Sequence, residues 1–268
     1  MKKKYCIVTP TQKEILTKYE RLSLKTIHKV FKEEDKYLVT FPENKLKLDY
    51  FENKYFAKSY FKNIDSYNKL CMSSNFYTQF SNYEYILLCQ LDVIVLSKYF
   101  LEKIFERKIS YIGAPAGKKN LFDRKRKKLW GRRFYCNGGF SLRNIDDFLN
   151  VLNSEKIQNP INSVTFKGCL KNGFFKNYKL LYEASKKNNK DKVNYFIKNF
   201  DLPEDTFWTY FAKVFNKNFV LPTLSEANNF SFDGDPYFFY KKNYNRLPMG
   251  LHGYHNYLDF LDKINYKI

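Results

Sequence analysis

Four places along this chain combine residue types that could do chemistry. The first is Asp92, a carboxylate set late in the apolar run 85–96. An Asp at the end of a covered strand can hold Mg²⁺ or Mn²⁺ through oxygen, leaving the ion's other positions to diphosphate oxygens. It can equally be a strand-end carboxylate that caps a loop, although burying it would otherwise be costly. The second place is Asn137-Gly138-Gly139-Phe140-Ser141-Leu142-Arg143. Paired glycines admit a ligand close to the backbone, and Arg143 can clamp a phosphate or a carboxylate. An ordinary turn leading into a strand would carry the same letters. The third is Glu204-Asp205, behind Pro203. A carboxylate at a helix N-terminus can accept a proton from a sugar hydroxyl, or can simply favour the helix start. The fourth is the Gly-flanked loop 249–255, where His252 or His255 can be a metal or phosphate ligand or a plain loop histidine. His28, on a first amphipathic segment, reads as surface structure.

The elements that must position these residues alternate. Residues 5–8 are a short apolar run stopped by Thr9-Pro10-Thr11, a buried strand ending in a loop. Apolar residues from Ile15 to Phe31 then recur at near-helical spacing, and residues 37–41 (YLVTF) form a second strand. Residues 68–80 suit one helix face. Residues 85–96 are apolar nearly throughout, as a central strand covered on both faces requires. A helix over 98–107, a strand over 110–114, a helix near 146–152 and a helix opening at Pro203 complete the pattern. Strands alternating with helices predict an α/β sandwich around a mostly parallel sheet.

Composition excludes several classes. The 268 residues include 52 aromatics (23 Tyr, 27 Phe, 2 Trp), too many for a disordered basic tail. The five cysteines, Cys6, Cys71, Cys89, Cys136 and Cys169, are odd in number and lack metal-type spacing, which argues for free thiols in a reducing compartment. The basic start breaks at Thr9-Pro10, too soon for a secretory apolar core, and the run 85–96 is too short to span a bilayer. Lys and Arg outnumber Asp and Glu by 47 to 27, a net charge of +20, so an anionic partner is expected: nucleic acid, an anionic lipid leaflet or a phosphorylated small molecule. Residues 118–133 carry nine basic residues and one acid, with Phe122 and Trp130 among them, and read as a loop suited to an anionic surface.

The order and spacing of these blocks resemble a domain family of unknown function grouped with A-type (GT-A) nucleotide-sugar glycosyltransferases. The resemblance runs through Tyr67-Asn-Lys-Leu70, Phe76-Tyr77, residues 85–92 (YILLCQLD), 111–115 (YIGAP) and 137–143 (NGGFSLR). It continues through Pro203-Glu-Asp205, residues 226–232 and residues 247–252 (LPMGLH), most of the chain from about residue 60 onward. It implies one GT-A-like, Rossmann-like α/β/α domain over 1–268, with a nucleotide-binding half at 1–115, a basic loop at 116–133 and an acceptor-side half at 134–268. It implies transfer of a sugar from a UDP- or GDP-sugar to a saccharide or lipid-linked acceptor, in assembly of a bacterial capsule or lipooligosaccharide.

Such folds carry an Asp-x-Asp metal motif after the central strand. The aligned triplet here is Gln90-Leu91-Asp92, so Asp92 alone supplies a charged ligand for Mn²⁺ or Mg²⁺, and Gln90 is left to the ribose or a bound water. By the same resemblance His252 completes the metal site, Asp205 is the general base of an inverting reaction, and Glu204 is its catalytic neighbour. Gly138 and Gly139 line the donor-sugar and acceptor site, with Asn137 and Arg143 beside them on the donor. Thr9, Thr11 and Asn68 are expected at the nucleoside, and basic residues over 124–133 at an acidic or lipid-diphosphate acceptor. The expected location is the cytoplasm, with peripheral contact to the inner face of the membrane, and nucleic acid is not an expected partner. Two other readings stand: a non-catalytic basic protein that stacks nucleic acid on its aromatics, and a GT-A-like domain that has lost catalysis.

Overall fold

The computed structural model describes residues 2–115, 136–157, 175–188 and 191–264. The basic stretch 118–133 and Cys169 lie outside the described residues, and so does any expectation placed on them.

The main sheet has six strands. β1 (Lys3–Pro10), β2 (Lys36–Thr40), β3 (Glu52–Tyr55), β4 (Tyr83–Cys89), β6 (Tyr111–Pro115) and β7 (Cys136–Asn144) stand in the order β3-β2-β1-β4-β7-β6. β3, β2, β1 and β4 pair in parallel, while β7 runs antiparallel to both β4 and β6. The mostly parallel sheet expected from the sequence is therefore present. β4 is apolar because it is covered twice. Ile86 and Leu88 face one core, and Leu87 and Cys89 face the other.

On the first face lie α2 (Ile64–Cys71), α3 (Ser74–Thr78) and α5 (Ile145–Leu152), together with a helix in three parts, α8. α8 runs through Glu204–Thr206, a π-helical turn Phe207–Phe211, and Ala212–Phe215. Phe148 stacks on Trp208 at 3.9 Å between ring centroids, which packs α5 against α8. On the second face lie α1 (Lys18–Val30), α4 (Leu101–Glu106) and α9 (Leu224–Phe230). α1 begins in a reciprocal cap in which Thr17 and Glu20 satisfy each other's backbone donors. α6 (Phe175–Ser185) and α7 (Lys192–Asn199) pack beside the first core.

Two expectations are corrected. The helix over 68–80 is two helices, because Ser73 breaks the first and caps the second by accepting the Phe76 N–H at 3.3 Å. The run 85–96 is not one strand. β4 ends at Cys89, and β5 (Val93–Val95) belongs to a second sheet of order β5-β9-β8, with β8 at Ser231–Asp233 and β9 at Gly250–His252. That sheet sits on a third core with α10 (Pro236–Lys242) and α11 (Leu258–Lys263). An apolar run cannot distinguish one buried strand from two that pass between buried sheets.

Cys6, Cys71, Cys89 and Cys136 are all buried. Among the described residues, no helix is long and apolar enough to cross a membrane.

Candidate active site

Chain turns at the carboxyl ends of β1 and β4 open a cavity of about 660 Å³. Pro10, Thr11 and Lys13 line it after β1, Gln90, Leu91 and Asp92 after β4, and Tyr19 and His255 from elsewhere in the chain. The crevice beyond strand carboxyl ends is where open α/β sheets take ligands. Tyr19 and His255 make one aromatic wall, with ring centroids 6.1 Å apart, and Tyr254 fixes Tyr19 by donating its hydroxyl to the Tyr19 carbonyl at 2.6 Å.

The turn between the sheets is tied at both ends. The Gln90 N–H donates to the Gly139 carbonyl at 2.8 Å, and the Tyr254 N–H donates to the Asp92 carbonyl at 3.3 Å. Strand register does the rest. His252 on β9 lies opposite Val93 on one side and Asp233 on the other. His252 Nε2 is consequently 3.4 Å from Asp92 Oδ1 and 3.4 Å from Gln90 Oε1, while Nδ1 is 3.2 Å from Asp233 Oδ1. Burial opposes charge on this imidazole, but the Asp233 hydrogen bond and the nearby Asp92 carboxylate outweigh it and raise the pKa. Asp92 Oδ1 is shut from solvent and has no hydrogen-bond partner.

β7 brings the glycines to this point. A Cβ on Gly139 would stand 2.3 Å from His252 Nε2 and 2.6 Å from Gln90 Oε1, and one on Gly138 would stand 2.2 Å from a Glu204 carboxylate oxygen. Only glycine lets β7 pass between these side chains. The Gly138 N–H also hydrogen-bonds the Asp205 carboxylate. Burial, followed by the charge of Glu204, pushes the Asp205 pKa up to about 7, against the opposing pull of the Thr206 and Gly138 amides and Arg143. A half-buried carboxylate poised near neutrality is suited to proton transfer.

Asp92, Gly138, Gly139, Asp205 and His252, far apart in sequence, are thus gathered at one rim of the sheet. Gln90 joins them beside His252, and Asn137 braces β7 by accepting the Gly139 N–H at 2.7 Å. Thr11 lines the cavity.

Four expected ligand or catalytic residues are placed otherwise. Arg143 is 0 % exposed, so it cannot clamp a ligand phosphate. Its Nη2 meets Glu204 Oε1 at 2.7 Å, and its remaining donors go to Tyr77, Ser141 and the Gly138 carbonyl. Glu204, 4 % exposed, is consumed by the same pair and does not reach the cavity as a catalytic acid or base. Asn68 is turned inward, accepting the Glu204 N–H at 3.4 Å. Thr9 is fully buried and does not line the cavity. The sequence reading missed Asp233, whose signal was only its spacing in Ser231-Phe232-Asp233, a short strand that nothing marks as β9's neighbour until the register is seen. His28, half-buried on α1, stacks on the exposed Tyr50 at 3.7 Å between ring centroids, as a structural residue of the surface.

Among the described residues, no three His, Cys, Asp or Glu side chains converge as a metal cluster. Residues 50–252 match a family described as "Protein of unknown function (DUF5672)". Comparison with curated proteins finds no match. In fold the chain is similar to the galactosyltransferase LgtC, solved in complex with donor and acceptor sugar analogues, at 13% identity and a TM-score of 0.50 over 92% of this chain and 86% of that one. It is likewise similar to mouse xyloside xylosyltransferase 1 in its apo form, at 13% identity and a TM-score of 0.50 over 94% of this chain and 98% of that one. The shared property is the fold, a GT-A-type α/β architecture.

Proposed function

The chain belongs to the DUF5672 family of unknown function, and we propose that it is a glycosyltransferase. In this reading it moves a sugar from a UDP- or GDP-sugar to a saccharide or lipid-linked acceptor of bacterial surface polysaccharide assembly. One observation carries the reading: Asp205, a carboxylate whose pKa is pushed up to about 7, is hydrogen-bonded to Gly138 of β7, next to Gly139, which packs on His252 and Gln90, and Gln90 and Asp92 line a cavity of about 660 Å³.

The nucleoside occupies the cavity behind Thr11 and the Tyr19–His255 wall, and the diphosphate points toward Asp92. The residues present fit a divalent cation, Mn²⁺ or Mg²⁺, because Asp92 Oδ1 is an orphaned buried acceptor with His252 Nε2 3.4 Å away. Asp92 and His252 would hold it, and when bound it neutralises the charge gathering on the departing diphosphate. Gly138 and Gly139 let the sugar lie against the backbone of β7. Asp205 takes the proton of the acceptor hydroxyl as its oxygen attacks the anomeric carbon. The carbon–phosphate oxygen bond breaks on the opposite side, and its electron pair leaves with the nucleoside diphosphate. Attack opposite the leaving group inverts the anomeric centre. The general base contributes about 10²–10⁴-fold.

A thermal-shift screen of nucleoside diphosphates, with and without Mn²⁺, tests the donor assignment, since a ligand that binds only the folded chain must raise its Tm. Asp92→Asn and Asp205→Asn are each expected to abolish transfer while the protein stays folded. Full transfer by both variants would overturn the reading.

A further inference from the structure

Asp233 takes no part in the reaction just described, yet the small sheet places it with care. It ends β8, opposite His252 in the parallel ladder, with its Oδ1 3.2 Å from His252 Nδ1. An ionised carboxylate can only accept, so the proton of that hydrogen bond sits on Nδ1. In the neutral ring Nε2 then presents a lone pair, and its two polar neighbours, Asp92 Oδ1 and Gln90 Oε1, are themselves acceptors at 3.4 Å. Three electron-pair donors facing one another are satisfied by a cation. Histidines that bind metals commonly donate their other ring N–H to a carboxylate in this way.

We propose that Asp233 is a positioning residue that locks His252 with Nε2 toward Asp92 and Gln90, and supplies, through the imidazole, the second carboxylate charge that position 90 lacks. The inference rests on the cation site of the proposed function. Asp233 acts through the ring rather than on the ion, since Nδ1 and Nε2 lie on different edges of the imidazole. A cation held there would find one carboxylate oxygen, one imidazole nitrogen and one amide oxygen within reach. A mixed nitrogen–oxygen set of this kind favours Mn²⁺ over Mg²⁺, which prefers oxygen ligands and holds its waters.

The test is Mn²⁺ binding followed by electron paramagnetic resonance on the whole protein without nucleotide or acceptor, so that turnover plays no part. Asp233→Ala is expected to weaken Mn²⁺ binding by about 10–100-fold. Asp233→Asn should weaken it less, because the amide still accepts from Nδ1, and adding Gln90→Asp to that variant should recover affinity by returning the lost charge. Unchanged affinity in Asp233→Ala overturns the proposal and leaves the cation site standing. A wild-type protein that binds no Mn²⁺ removes the cation site and the proposal together. As a second readout, ¹⁵N NMR of the metal-free protein at alkaline pH should show the His252 proton on Nδ1 in the wild type and shared between both nitrogens in Asp233→Ala. A wild-type ring protonated on Nε2 overturns the assignment.

Discussion

Removing one member of the Arg143–Glu204 pair should damage the fold far more than removing both. The Arg143 side chain is 0 % exposed and that of Glu204 is 6 % exposed, so neither can recover water when its partner goes. Arg143→Met would leave the Glu204 carboxylate buried without its counter-charge. Breaking a buried pair in this way costs about 3–5 kcal/mol, whereas an exposed pair such as Lys176–Asp201 is worth about 0–1 kcal/mol. Domains are stable by about 5–15 kcal/mol, so the single variant loses a large share of the total.

The double variant Arg143→Met, Glu204→Leu should lie within about 1–2 kcal/mol of the wild type, because apolar residues of similar volume often replace a buried ion pair without loss. The neighbours keep partners in that background. Tyr77 still donates its hydroxyl to the Cys71 carbonyl at 2.7 Å, and Ser141 still donates to the Gly138 carbonyl at 2.8 Å. Urea unfolding of the four proteins, followed by far-UV circular dichroism, gives the coupling energy as a double-mutant cycle. A loss of less than about 1 kcal/mol in Arg143→Met would place the pair with exposed ones and refute the argument. A double variant as damaged as the single would show that surrounding contacts, rather than the uncompensated charge, set the cost.

Four further outcomes are expected. The acid limb of the transfer rate should bend near pH 7, since only ionised Asp205 accepts a proton, and a limb centred near pH 4 would mean that another group is the base. The same raised pKa means that the native state binds more protons than the unfolded chain between about pH 4 and pH 7, so the ionised carboxylate lowers stability as pH rises through that window. Asp205→Asn should therefore have a higher Tm than the wild type above pH 7, an advantage that shrinks to nothing near pH 4. Gly139→Ala should cost about 1–3 kcal/mol and remove any Mn²⁺-dependent thermal shift, because its Cβ enters the space between His252 and Gln90. Phe148→Ala should cost about 3–5 kcal/mol in urea, because the ring is fully buried and stacks on Trp208.

Sequence alone determined the parts whose signal is local. The covered strands, the alternation of strand and helix and the helix start at Pro203 are written in apolar periodicity and in capping residues, which act over a few neighbours. The same local signals raised Asp92, Gly138, Gly139, Asp205 and His252 as candidates, and the order of the blocks implied the fold. Only tertiary structure decided which polar residues face the crevice. Arg143 alternates with neighbours along β7 that gave no hint of its side, and it turns into the first core because Glu204, 61 residues later, meets it there. Asp233 and His252 are 19 residues apart, and nothing between them announces that β8 and β9 pair in parallel. A charge's role depends on what stands across from it, and that is fixed by strand register and by burial. These are properties of the assembled sheets rather than of any stretch of residues.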